Sequence, residues 1–378
     1  MATVTKTIGT SSRDYSTISA WEADLSDASI YSNGDDAVGE MYADSTFTGN
    51  TVTIDGGTSI GGSSGQDLNS VKLTVATASR HDGTAESGAL LKPTSGSGHS
   101  VGIIKIARDD FTIEWLDISL DSLNSTNTNY GIRNNVGDNI IIRNCLLHDK
   151  YGNPGSTGPR AIYCDRMSSG ATFTVQNNII YRWHETSNDT AVAVMTHNAN
   201  PGSEGGAKIY NNTIYFVDSA GSSKHAVGIY FAGGTADAVK NNIVAGLYAS
   251  GDSDHERAYQ AAYYDLADVS NNLSDTTTHA DWNAADMGDS YGDSTALVGK
   301  SLAEIDFVST VAGSEDLHLD TGSVCLEAGA DLGTTNGVNV DIDGLDRDAT
   351  GVTWDIGADQ KSEASTSTGN PAFIMFVD

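Results

Sequence analysis

Between residues 140 and 275 apolar positions keep a frame that repeats around an asparagine pair. The copies read Val175-Gln-Asn177-Asn178-Ile-Ile180, Ile209-Tyr-Asn211-Asn212-Thr-Ile214, Val239-Lys-Asn241-Asn242-Ile-Val244 and Val269-Ser-Asn271-Asn272-Leu-Ser274. A degenerate copy, Ile142-Arg-Asn144-Cys-Leu-Leu147, precedes them, and the intervals between first asparagines are 33, 34, 30 and 30 residues. Val or Ile always stands two residues before the first Asn, and an apolar residue stands three after it in four of the five copies. Alternation of period two on both flanks predicts two strands. The Asn pair predicts a corner, because Asn tolerates the left-handed conformation of a sharp bend. Strand, corner and strand at a period near 30 predict the coils of a parallel β-helix, with the asparagines stacked in a hydrogen-bonded ladder. The crossover preference of parallel strands makes the coil right-handed. Ordinary hairpin turns at Asn-Asn would need no fixed long period.

The same pattern divides the chain. Residues 1–29 read as a strand and a helical cap, with Ile18, Trp21 and Leu25 at helical spacing. Residues 30–300 form the all-β solenoid, and a stacked fold needs its open end covered. Irregular early coils carry the strand-like runs Thr51–Ile54, Val71–Val75, Ile103–Ile106 and Phe111–Leu116. In the regular coils a short apolar strand precedes each Asn segment, as at Ala161–Tyr163 or Ala191–Val194. Residues 301–360 form a small β module, and residues 361–378 a Ser/Thr linker with an apolar run, Ala372–Val377.

Charge narrows the partners. The 378 residues include 20 Lys+Arg against 50 Asp+Glu, a formal net charge of −30. Nucleic-acid binding draws its affinity from a basic surface and is not expected here. No run of about 18 apolar residues predicts a membrane span, and residues 1–10 lack the apolar core of a secretory signal. The three cysteines, Cys145, Cys164 and Cys325, form no framework.

Stacking sends the loop after each Asn strand out along one edge. Residues 148–160, 182–190, 216–225 and 246–257 are those loops, and each holds one histidine: His148, His184, His225 and His255. Tyr151, Trp183, Tyr248, Arg160 and Arg257 accompany them. Aromatic rings beside charges on a long face suit a bound glycan, and polar loops that merely meet water would look similar. The carboxylates admissible for glycoside chemistry are Asp149, Asp165, Glu185 and Asp189. Hydrolysis needs two of them ~5–9.5 Å apart, and neighbouring coils, stacked ~4.8 Å apart, allow that. No clustered signature selects a pair. Downstream, Asp341, Asp343, Asp346 and Asp348 lie within eight residues. They read either as a calcium site, since hard cations collect carboxylate oxygens, or as a turn in which Asp side chains bond backbone amides. Arg347 is placed to neutralise part of the group.

Both ends of the chain resemble known families. Glu315–Leu319, Gly322-Ser323, Ala328–Asp331, Asp341–Gly344, Arg347-Asp348 and Asp355–Asp359 follow in the order of the terminal module of choice-of-anchor Q surface proteins. Gly9 to Leu25 resembles the opening of pectate-lyase-like β-helices. The resemblance implies an exported or virion surface protein. The apolar tail and the absence of a leader point to the virion: a spike, fibre or capsid decoration contacting other virion proteins and polysaccharide, trimeric by analogy with spikes. Two rivals stand beside it, a secreted polysaccharide lyase or glycoside hydrolase using the same loop edge, and a bacterial surface adhesin.

Overall fold

Each turn of the chain lays down three short strands, one in each of three parallel sheets. One coil consists of Thr172–Gln176, Ile179–Glu185 and Ala191–Thr196; the next of Gly206–Tyr210, Thr213–Ser219 and Ala226–Phe231. The computed structural model describes the chain apart from residues 50, 63–66, 95–101, 122–129, 152–157, 186–189, 198–205, 221–223, 233–234, 250–255, 262–267, 276–294 and 362–378. About six turns stack into sheets of nine, eight and seven strands, each joined in parallel to the coil before and after it. The expected apolar run Ala372–Val377 falls outside the described residues.

Register explains the sequence frame. Ile142, Val175, Ile209, Val239 and Val269 pair in one row of the first sheet. Leu147, Ile180, Ile214 and Val244 form the matching row of the second. All nine point into the solenoid, and all but the half-buried Val269 are fully buried. Burial of each such side chain stabilises the coil by ~1.5–3 kcal/mol. Between the two rows lies the corner. Its first residue is left-handed in every copy, with φ of 51° to 57° at Asn144, Asn177, Asn211, Asn241 and Asn271. Asn adopts this conformation more readily than other non-glycine residues.

The early coils obey the same geometry. Ile113 pairs with Ile142 and Ile118 with Leu147, so Trp115-Leu116 occupies the Asn corner, and Trp115 has φ 66°. The coil before it opens its corner into an insertion, residues 76–89, between Ser70–Val75 and Leu90–Leu91. At the N-terminal end a short helix, Ile18–Ala23, is capped by the Thr17 hydroxyl and buries Trp21 in the solenoid core. Gly39 leaves room for that indole; a Cβ there would lie 2.7 Å from it.

The segment 301–361 packs on the outside of the second sheet. It opens with the helix Leu302–Ile305, closed by a Ser301/Glu304 capping box, and continues as the antiparallel pair Phe307–Ser309 and Asp316–Leu319. Ile305, Leu317, Leu319, Ile342 and Ile356 cover Leu146, Ile179, Tyr181, Tyr215 and Ile243.

Candidate functional site

The two asparagines of each corner face opposite ways. The second faces the core and builds the expected ladder. Asn178 Nδ2 donates to Asn212 Oδ1 at 3.0 Å, Asn212 Nδ2 to Asn242 Oδ1 at 2.9 Å, and Asn242 Nδ2 to Asn272 Oδ1 at 2.9 Å. Backbone amides join it, Asn178 N to Asn212 Oδ1 at 3.1 Å and Cys145 N to Asn178 Oδ1 at 2.9 Å. The first asparagine faces the terminal segment and donates to its carbonyls. Asn144 reaches Val340 O, Asn177 reaches Val338 O and Val340 O, Asn211 reaches Val338 O, Asn241 reaches Ala330 O and Asn271 reaches Ala328 O.

A cleft of about 340 Å³ opens where the corner insertion, the second sheet and the terminal segment meet, lined by residues 84–86, Asp149, Tyr181, Arg182 and residues 313–315. Sequence reasoning expected Asp149 and Arg182 to lie in or beside loops. The strands run further: Leu146–Lys150 and Ile179–Glu185 continue through a left-handed residue, Asp149 at φ 61° and Arg182 at φ 55°. That residue turns the chain once, after which Lys150 pairs with Trp183 and the inward row resumes. Asp149 and Arg182 therefore project together at the cleft. Arg182 holds two carboxylates, Asp149 at 3.0 Å and Glu315 at 3.5 Å. Its guanidinium lies 5.2 Å from the centre of the Tyr151 ring.

His148 lies beneath Asp149 and is fully buried, its Nε2 2.8 Å from Asp117 Oδ1 and its Nδ1 2.8 Å from Asp149 Oδ2. Burial alone would drive the imidazole neutral, but the two carboxylates outweigh it and raise its pKa to about 9. A charged His148 and Arg182 in turn hold Asp149 below the ordinary carboxylate range against the effect of its own burial. Tyr181 stacks on His148 with 5.3 Å between ring centres, and burial raises its phenol. Glu86 anchors the far wall: its amide donates to Asp117 Oδ2, and its carboxylate meets Lys92 at 2.8 Å.

The remaining expected residues separate. His184 pairs with Asp218 at 2.5 Å and lies 6.4 Å from Tyr151, beside the cleft group. Trp183 points into the solenoid and is fully buried, which its place on the inward row after the left-handed residue explains. Glu185 is also buried, at 2 % exposure, and its charge opposes the burial that lowers Lys150 to about 8. Asp165 and Arg160 lie on the outer face of the third sheet, where Arg133 meets Asp165 at 2.5 Å beside the stacked Tyr130 and Tyr163. Arg257 belongs to the same row as Arg160. His225 precedes the strand Ala226–Phe231, and Tyr248 is exposed on a short strand of the second sheet. Asp189 and His255 lie outside the described residues. One loop edge was expected; the cleft, the core and a second face share its residues instead. Glu86, Tyr181 and Glu315 were missed, because the coil register alone does not show which distant segment covers a sheet.

The four downstream aspartates organise turns. Asp341, fully buried, accepts from the amides of Asp343, Leu345 and Gln360. Asp346 accepts from Asp348 N and Asn339 Nδ2, and Asp348 from the Trp354 indole at 3.0 Å. Arg347 donates to the carbonyls of Asp355 and Gly357 and to Gln360 Oε1. Of the four, Asp343 alone belongs to a group with metal-ligand convergence among the described residues.

Among the described residues no helix is long and apolar enough to cross a membrane. No family model and no curated protein matches the chain.

Proposed function

We propose that the chain is a surface protein of a phage-like particle, a spike, fibre or capsid decoration, and that it binds a neutral, hydroxyl-rich polysaccharide in the cleft at Arg182. The observation that carries the binding half is the Asp149–Arg182–Glu315 chain across the cleft mouth. Carboxylate acceptors and a guanidinium donor, with Tyr151 alongside, match sugar hydroxyls and a sugar face. Glu86, Asp149 and Glu315 would repel a uronate. Hydrolysis needs one carboxyl kept protonated beside an ionised one, and Asp149, held below the ordinary carboxylate range, does not fill the protonated role. Glu185 is closed inside the solenoid. The particle half rests on the resemblance of both chain ends and on a stacked parallel solenoid whose charge of −30 keeps copies apart.

Saturation-transfer NMR against neutral and uronate-containing oligosaccharides, with an assay for new reducing ends, tests this. Neutral sugars are expected to bind without turnover. Arg182→Gly, which accepts φ 55° without strain, should weaken binding at least tenfold. Turnover abolished by Asp149→Ala or Glu185→Ala would replace the reading with a lyase or hydrolase. Homotrimer assembly through residues 372–377 belongs to the same proposal. Light scattering should show a trimer that becomes a monomer without residues 364–378; a monomer in both samples removes it.

A further inference from the structure

We propose that His318, Asp343 and Asp359 bind one divalent first-row transition cation that clamps the terminal segment. Their ligand atoms lie within 4.8 Å of one another, with His318 Nε2 already 3.2 Å from Asp343 Oδ1. Bonds of ~2.0–2.2 Å to a tetrahedral centre place ligand atoms ~3.3–3.6 Å apart, so closing the triad needs only side-chain adjustment. Two observations single this group out from the surrounding aspartates. Asp359 is 4 % exposed, and only one of its oxygens, Oδ2, takes a hydrogen bond, from Leu319 N at 2.8 Å. The other oxygen takes no hydrogen bond and is open to a ligand. His318 also turns its Nδ1 to Asp316 Oδ1 at 2.5 Å, which aims Nε2 at Asp343. A carboxylate behind a metal-binding imidazole is the usual arrangement for fixing its tautomer and orientation. By contrast Asp341, Asp346 and Asp348 are occupied by amides or the indole.

One imidazole nitrogen and two carboxylate oxygens favour zinc, cobalt or manganese over calcium or magnesium, which take oxygen ligands. The three ligands come from the antiparallel pair, the turn after Asp341 and the end of the segment. Gly83 of the corner insertion lies over the imidazole so closely that a Cβ would be 2.4 Å from His318 Cε1. A cation here would therefore tie three parts of the segment together beneath the insertion that walls the cleft.

Calorimetric titration of the metal-stripped full chain with Zn2+, and absorbance with Co2+, decide the matter. One equivalent is expected at micromolar affinity, with a tetrahedral or five-coordinate Co2+ spectrum and a rise in melting temperature. Asp343→Asn, at a half-exposed side chain, should cut affinity at least tenfold, as should His318→Gln. Asp316→Asn, a positioning change, should weaken binding less and leave the Co2+ spectrum in place. Circular dichroism checks that each variant is folded. No saturable Zn2+ binding below millimolar, or binding indifferent to Asp343→Asn in a folded protein, overturns the site. Ca2+ binding of equal strength with the same dependence on Asp343 overturns the cation class.

Discussion

Asn211 and Asn212 are neighbours of the same type, yet they belong to different parts of the molecule. Asn212 faces inward: its amide donates to Val175 O, Tyr210 O and Asn242 Oδ1, and its oxygen accepts from Asn178 N and Nδ2. Asn211 faces outward, donating to Val338 O at 3.2 Å and accepting from Asn241 Nδ2 at 3.0 Å. The inner row ties coil to coil every 30 to 34 residues, and the outer row ties the solenoid to a segment more than 50 residues further on. One dipeptide thus serves both as the fold's internal seam and as the seat of its outer module. The left-handed first residue makes this possible by breaking the strand alternation: Gln176 and Asn177 both face the terminal segment, and Asn178 turns back to the core.

The sharpest way to break the comparison is Asn212→Leu. It strands the Asn178 backbone amide and removes the side-chain donor to the Val175 and Tyr210 carbonyls inside a dry corner, at about 1–3 kcal/mol for each buried group left unpaired, while Asn242 Oδ1 keeps the Asn212 backbone amide. Partial relaxation brings the expected total to about 3–5 kcal/mol, which is at the severe end for a single substitution. Because the ladder spans coils, the loss should appear as a lower midpoint for the whole solenoid in urea unfolding followed by far-UV circular dichroism. A loss under 1 kcal/mol would show that the ladder is incidental to coil stacking.

The inner row could be anticipated from residue spacing because its partners repeat at the period that defines it. The outer row could not: Asn177 and Val338 are 161 residues apart, and no periodicity links them. Trp115-Leu116 hid a further corner because the frame survived while its most conspicuous residues changed. The cleft stayed hidden for the same reason as the outer row. Asp149 was visible as a candidate and Arg182 only as the start of an expected loop, and Glu86 and Glu315 join them only through an inserted corner and a folded-back segment. The strand extension past His148 was missed because one left-handed residue reads as the start of a loop. Trp183 and Glu185 were accordingly expected at the surface.

The two regions should also respond oppositely to pH. In the solenoid His148 is raised to about 9 from an unfolded value near 6.5. Its contribution is fully present below about 6.5 and is lost as pH rises through 9. Lys150 opposes this: burial lowers it to about 8, so its cost is present below that pH and fades as pH rises toward 10.5. Comparing the parent with His148→Gln between pH 7 and 10 isolates the histidine, and the parent should lose on the order of 1–3 kcal/mol more than the variant. In the terminal segment burial raises Asp341 and Asp355 to about 6. Their folded values exceed the unfolded one, so the cost of the buried charges is present above about 6 and is relieved as pH falls toward 4. Hydrogen exchange of residues 320–361 should therefore slow, after correction for intrinsic rates, between pH 7.5 and 5. Faster corrected exchange at pH 5 would mean that these carboxylates are stabilised as anions.

The smallest effect, and the most discriminating, is expected from Asn211→Gly. Glycine keeps φ 51° without strain, so the corner itself should survive. The side-chain amide that reached Val338 O is lost, but Asn177 still donates to that carbonyl at 3.1 Å. Asn241 loses Asn211 Oδ1 as an acceptor but keeps Ala330 O at 2.8 Å. No buried partner is left wholly unpaired, so the net loss should be about 1 kcal/mol, the typical worth of an intramolecular hydrogen bond. It should also be local. Exchange of amides near residues 328–340 should accelerate about fivefold, while those of Ile209 and Ile214 in the flanking strands stay at the parent rate. Equal acceleration on both sides of the corner would show that the outer asparagine supports the coil as much as the module, and the division of labour between the two rows would fall.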